Sequence, residues 1–214
     1  MLVSDWMTRK VFALSPEDGV SDAIRLIKEK RIKHIPVVKE EKIKGIVSDR
    51  DVKEFSPSGA TSLDIHELHY LLAKAKVKEI MKTKVFTTAP DVPIEEAALI
   101  MFNHKIGCLP VVAHGKLAGI ISEADIFKAL VDITGVRHGG HRISVTIEDR
   151  PGSIKDVADI IRKHGFSLQS ILTSYEKMPH GFRKIVIRTK GDGKFGALKA
   201  ELMGSFRDVQ IKKG

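Results

Sequence analysis

The chain has one cysteine, Cys108, in 214 residues. That excludes an internal disulfide framework and a multi-cysteine metal site. Aromatic residues make up only 6% of it, with one tryptophan and two tyrosines. They do not interleave with basic residues in the way that builds a stacking platform for nucleic-acid bases. No apolar run approaches the ~20 residues of a membrane-spanning helix. The segment Met1 to Lys10 carries Asp5, Trp6, Arg9 and Lys10 without an apolar stretch, so no secretory signal and a cytoplasmic protein are expected. Signatures of catalysis are also missing: the nine histidines are dispersed, and neither Ser48 nor Ser122 stands in a nucleophile elbow.

Charge is abundant and unbalanced. The net charge is +9 and the isoelectric point is near 9.6. The basic residues lie among acids, as in Lys28-Glu29-Lys30-Arg31 and Lys39-Glu40-Glu41-Lys42. A solvated basic surface that attracts anionic metabolites explains this more simply than a nucleic-acid footprint.

The dominant feature is a duplication. At an offset of 74, residues 3–53 align with 77–127 without a gap, and 16 of the 51 positions are identical. They include Met7/Met81, Pro16/Pro90, Pro36/Pro110, Gly45/Gly119, Ser48/Ser122 and Asp51/Asp125. A gapless repeat predicts two units of one fold packed on each other. Within a unit, Val11 to Leu14 reads as a short strand. Val20, Ala23, Ile24 and Ile27 follow at helical spacing. Ile35 to Val38 and Ile43 to Val47 read as two strands, and Asp51-Val52 opens a closing helix. The predicted order is β-α-β-β-α. Between the repeats, a breaker cluster at 56–60 precedes a capping box at 61–64 and an apolar stripe of Leu68, Leu71, Leu72 and Ala75, which predicts a connecting helix.

Beyond a glycine-rich linker, Arg142 to Ile147 alternates as a strand, and Glu148 to Gly152 turns into a helix carrying Ile154, Val157, Ala158 and Ile161. Gly165 ends that helix. Strands at 167–173 and 184–188, a helix marked by Phe195, Leu198 and Leu202, and a last strand with Val209 and Ile211 complete a ferredoxin-like β-α-β-β-α-β order. His138 and His141 in the linker have no further ligands nearby, so no metal site is expected.

In each repeat, Gly-x-x-Ser-x-x-Asp runs from a buried strand into a helix start. The Ser hydroxyl and the Asp carboxylate then face one spot. They suit a helix N-cap with first-turn charge, or a ribose, whose two hydroxyls donate to the carboxylate while the Ser and nearby helix amides face a phosphate. On these motifs, the two methionines and the Pro-Val-Val strands, residues 1 to about 131 resemble a tandem pair of CBS domains, the modules named after cystathionine β-synthase. The turn Asp149-Arg150-Pro151-Gly152 resembles that of an ACT domain, a small-molecule-binding regulatory module. The combination is similar to the acetoin-utilisation AcuB-like family of regulatory proteins.

The resemblance implies an α+β protein. Its tandem β-α-β-β-α CBS units would form a pseudo-twofold disc, followed by the ferredoxin-like domain. The expected boundaries are 1–58 for the first repeat, 59–76 for the connecting helix, 77–133 for the second repeat, 134–141 for the linker and 142–214 for the ACT-like domain. It also implies two clefts for adenine nucleotides or S-adenosylmethionine. One would join Ser48, Arg50 and Asp51 to base-pocket walls of Val85, Thr87, Ile106 and Cys108. The other would join Ser122 and Asp125 to Val11, Ala13, Ile32 and His34. Most of these apolar residues also read as core, and Cys108 as a small buried apolar residue. An amino acid is implied at Asp149, Pro151, Gly152 and Ser153, with Asp149 either taking its ammonium or capping the helix. The function expected is a non-enzymatic sensor and homodimer with an unidentified protein partner, and with no cofactor, metal or membrane. A nucleic-acid-associated regulator and a ligand-free oligomerisation scaffold are the alternatives.

Overall fold

A computed structural model describes residues 1–55 and 74–213. The breaker cluster, the capping box and the leucines of the expected connecting helix lie outside the described residues. The chain divides into two compact units, Met1–Ile126 and Phe127–Gly214.

In the first unit, α1 (Val3–Trp6), α2 (Val20–Lys30), β1 (His34–Lys39), β2 (Lys42–Ser48) and α3 (Asp49–Phe55) form one repeat. The other comprises α4 (Val77–Ile80), α5 (Ile94–His104), β3 (Cys108–Ala113), β4 (Lys116–Ser122) and α6 (Glu123–Ile133), whose last turns enter the second unit. The two hairpins share a register: His34 faces Ser48 and Cys108 faces Ser122, and each slips after its first valine, Val37 or Val111. The repeats exchange their leading edges. Thr8 bonds both ways with Ile120 (2.9 and 3.0 Å), and Lys82 does so with Ile46 (2.9 and 3.0 Å). Val77 from the second repeat is fully buried in the core of the first, among Leu14, Ala23, Ile35, Val37, Val47 and Val52. Each repeat is therefore completed by the other, as the gapless duplication predicts.

The strand expected at Val11 to Leu14 is reduced to a single parallel bridge, Leu14 to Val37, with Thr88 to Val111 as its counterpart. Proline is the cause. Leu14 donates to the Pro36 carbonyl and accepts from the Val38 amide. The next bond of that ladder requires an N–H at Pro36, and proline has none. The short helices α1 and α4, which deliver Met7 and Met81, carry no periodic apolar pattern that would predict them.

In the second unit, β5 (His141–Glu148), α7 (Ser153–Lys163), β6 (Ser167–Ser174), β7 (Phe182–Lys190), α8 (Phe195–Ser205) and β8 (Arg207–Lys213) follow in the anticipated order. The four strands form one antiparallel sheet in the order β6-β7-β5-β8. Ile143, Val145, Ile147, Ile185 and Ile187 bury one sheet face with Val157 and Ile161 of α7 and Leu198 and Leu202 of α8. Arg188 is buried and donates to the carbonyls of Thr134 and Gly139, so its charge is met by main-chain oxygens.

Candidate functional site

A cleft of about 600 Å³ opens in the first unit where the two repeats meet. Ser48, Arg50 and Asp51 of the first repeat line it together with Val85, Ile106 and Cys108 of the second. The crossed edges explain this meeting. The start of α3 belongs to one repeat, but the segment after Lys82 is held against Ile46 by the exchanged bridge. Six cationic side chains border the cleft, Lys33, Arg50, Lys53, Lys82, Lys84 and Lys105, against three carboxylates, Asp49, Asp51 and Glu123. The local field favours an anionic ligand.

Ser48 and Asp51 close on each other at the start of α3. The Asp51 carboxylate accepts from the Ser48 amide (2.8 Å) and hydroxyl through Oδ2. Its other oxygen, Oδ1, pairs with Lys82 Nζ at 2.9 Å. Burial alone would raise the Asp51 pKa, but the bonds from Ser48 and Lys82 outweigh it and hold the group below its ordinary 3.8. Asp51 is thus an ionised carboxylate only 6% exposed. Ser122 and Asp125 repeat the arrangement, with the Ser122 amide at 3.0 Å and its hydroxyl at 2.7 Å from Asp125 Oδ2. The cap geometry is therefore present in both repeats, and it leaves one carboxylate oxygen of Asp51 facing the cleft.

Cys108 is buried, its thiol pushed up to about 12 by burial and by Glu123, so it forms an apolar wall and not a nucleophile. Phe86 lies against the His104 ring with centroids 3.8 Å apart and adds a flat wall. Pro110 cannot donate to the Phe86 carbonyl, for the reason given at Pro36, which leaves main-chain polarity beside that wall.

Thr87 is exposed and stays out of the lining. His34, assigned by resemblance to the other cleft, borders this one, because it pairs with Ser48 across the hairpin. Its imidazole reaches over Gly107, where a Cβ would come within 2.9 Å of the ring. Burial pushes the His34 pKa down against the pull of Asp49, Glu123 and Asp51. Ser122, Asp125, Val11, Ala13 and Ile32 line no part of this cavity, and Ile32 packs on the core of the first repeat. Lys33, Lys53, Lys82 and Lys84 are among the lining residues that sequence reasoning did not place here. The repeat mismatches Thr8/Lys82 and Lys33/Gly107 were the available signal.

In the second unit, a cleft of about 240 Å³ is lined by Thr146, Glu148, Arg150, Ser153, Asp156 and Arg207, among others. Of the residues assigned to an amino-acid site, only Ser153 borders it. The cap of α7 is Gly152, at φ 84°, and not Asp149. Asp149 instead lies 3.5 Å from Arg183 Nε. A Cβ at Gly152 would meet nothing within 4 Å, so the glycine serves the left-handed backbone and not a close approach. Among the described residues, no group of three or more His, Cys, Asp or Glu side chains is placed to hold a metal, and no helix is long and apolar enough to cross a membrane.

The CBS domain family profile matches residues 3–58 and 77–132. An inosine-5'-monophosphate dehydrogenase of Korarchaeum cryptofilum is 34% identical over 163 residues, 73% of this chain but only 31% of that enzyme. The crystal structure of a Vibrio cholerae protein described as an acetoin utilization protein, AcuB, superposes with a TM-score of 0.53 at 33% identity, covering 64% of this chain and 96% of that one. CBSX2, a CBS-pair protein known from Arabidopsis thaliana, was solved in complex with AMP. It superposes with a TM-score of 0.51 at 28% identity, over 62% of this chain and 97% of its own. With both repeats matched by the profile, the chain belongs to the CBS domain family.

Proposed function

We propose that the protein is a non-enzymatic, cytoplasmic regulatory sensor that binds an adenine nucleotide in the cleft between its CBS repeats. The observation that carries this is the ionised, buried carboxylate of Asp51 beside apolar walls from the other repeat and a ring of six cations. A ribose diol donates to the Asp51 carboxylate. The base lies between Val85, Ile106 and Cys108, and the phosphates meet Arg50 and the neighbouring lysines. The AMP complex of CBSX2 supports the ligand class. The counterpart set, Ser122 and Asp125 with Val11, Ala13 and Ile32, is the second, weaker nucleotide position.

The second unit is an ACT-like, ferredoxin-like module. Its strand order and the turn at Asp149–Gly152 support this, and an amino acid is its proposed ligand, held by Pro151, Gly152 and Ser153 with Asp149. Binding in either unit is read out through a homodimer or a protein partner.

Calorimetric titration with AMP, ADP, ATP, S-adenosylmethionine and the amino acids tests both parts. Saturable binding of at least one adenosyl ligand, lost in Asp51→Ala, is expected. No adenosyl ligand bound would refute the sensor reading. Retention on DNA that falls steeply with salt would favour the nucleic-acid alternative instead.

A further inference from the structure

Lys82 stands where the first repeat has Thr8. Its main chain is fixed by two bonds to Ile46 (2.9 and 3.0 Å). Its side chain is 63% exposed, yet its ammonium is anchored on Asp51, whose side chain is only 5% exposed, at 2.9 Å. Asp51 Oδ2 is already taken by Ser48, so Lys82 holds the oxygen that a sugar hydroxyl must reach. With both acceptor positions of Oδ2 taken by Ser48 and one of Oδ1 by Lys82, a ribose diol has a single position left for its two hydroxyls, and seating both displaces the ammonium. The fixed root keeps that ammonium inside the cleft, where it then needs another anion.

Resting on the nucleotide reading above, we propose that Lys82 is a specificity-determining gate. It occupies the ribose-binding carboxylate of Asp51 until the phosphate of the incoming ligand draws it away. A nucleotide supplies the counter-charge and regains an ion pair of equal kind. A bare nucleoside breaks the Lys82–Asp51 pair and offers nothing in return. The cleft therefore disfavours adenosine, and does so through a lysine of the opposite repeat and not through the Ser-x-x-Asp motif itself.

Titration of the full chain with adenosine, AMP and ATP, in the wild type, Lys82→Thr and Lys82→Met, tests the gate. Threonine restores the residue of the first repeat, and methionine keeps the aliphatic stem without the charge. Both variants should bind adenosine about threefold more tightly, the size of a partly exposed ion pair. Both should bind ATP about tenfold less tightly, from the lost charge-assisted contact. Adenosine affinity unchanged or weakened in both variants, with ATP weakened, would overturn the gate and leave Lys82 a plain phosphate ligand. A wild type that binds none of the three would overturn the nucleotide reading itself, and the gate with it.

Discussion

The sulfur of Met81 packs so closely on Gly45 that a Cβ built there would lie 2.7 Å from it and 3.0 Å from the Lys82 carbonyl oxygen. Met7 and Gly119 repeat the relationship at 2.7 Å, with the Thr8 carbonyl at 3.1 Å. A thioether can swing aside, but the Lys82 carbonyl accepts from the Ile46 amide and cannot. Gly45→Ala should therefore destabilise the first unit by about 1–3 kcal/mol, as overpacking does. Gly119→Ala should cost a similar amount at the Thr8–Ile120 bridge. Urea denaturation measures both. A loss within about 0.5 kcal/mol, the range of neutral surface changes, would show that the edges are not held this tightly.

The two Ser-x-x-Asp motifs should not be equivalent. The first reads Ser48-Asp49-Arg50-Asp51 and the second Ser122-Glu123-Ala124-Asp125, so only the first carries a guanidinium. Arg50 is exposed and borders the large cleft, where it is free to meet a phosphate bidentately. Such a contact contributes about 1.5–3 kcal/mol, a tenfold or larger change in affinity. Asp51→Ala should thus cost more nucleotide affinity than Asp125→Ala, and Arg50→Ala should weaken ATP more than adenosine. Equal losses from the two aspartates, with Arg50→Ala neutral, would refute the asymmetry.

The repeat made much of the first unit legible from sequence, because identical residues at a fixed offset must sit in equivalent surroundings. Proline hid the edge strand. Val11 to Leu14 has strand composition, but the missing N–H of Pro36 removes its ladder, and composition does not report a partner's lost donor. Lys82 was hidden by the duplication itself. It falls at a mismatched position, and its role depends on an edge exchanged between repeats that periodicity cannot show. The hairpin register, which sets His34 opposite Ser48, placed that histidine in the cleft of its own serine. In the second unit the elements were legible, but Asp149 was not, since its pairing with Arg183 joins residues far apart in the chain.

Stability should fall on mild acidification. Burial holds His34 below its ordinary 6.5, and burial with Lys213 does the same for His141. The unfolded chain then binds more protons than the folded one, so stability rises with pH. The contribution is present above the unfolded value and is lost as pH falls through the folded one. His34→Gln cannot be protonated and should flatten the decline of the melting temperature between about pH 7 and 5. His141→Gln should do the same for the second unit. Asp51, held below 3.8, loses its contribution only in stronger acid, so the windows separate. An identical slope in the wild type and both glutamine variants would refute the assignment.

Self-association should use one face of α5. On α5, Ala97 and Met101 are buried, while Leu99 and Phe102 are 57% and 79% exposed. The equivalent positions of the first repeat hold Arg25 and Lys28, and Arg25 is paired with Asp22 at 2.8 Å. The face is therefore apolar on one repeat and charged on the other, which the shared fold does not require. Leu99 and Phe102 are neighbours at i, i+3, and a twofold-related second copy would bring the same pair against itself, the self-complementary contact of a closed dimer. Light scattering should show a dimer of the wild type at micromolar concentration. Phe102→Glu should shift it to monomer, because two carboxylates would face each other in an apolar contact. Lys28→Glu should leave it dimeric. A monomeric wild type would refute the dimer, and a Phe102→Glu variant that stays dimeric would move the interface elsewhere.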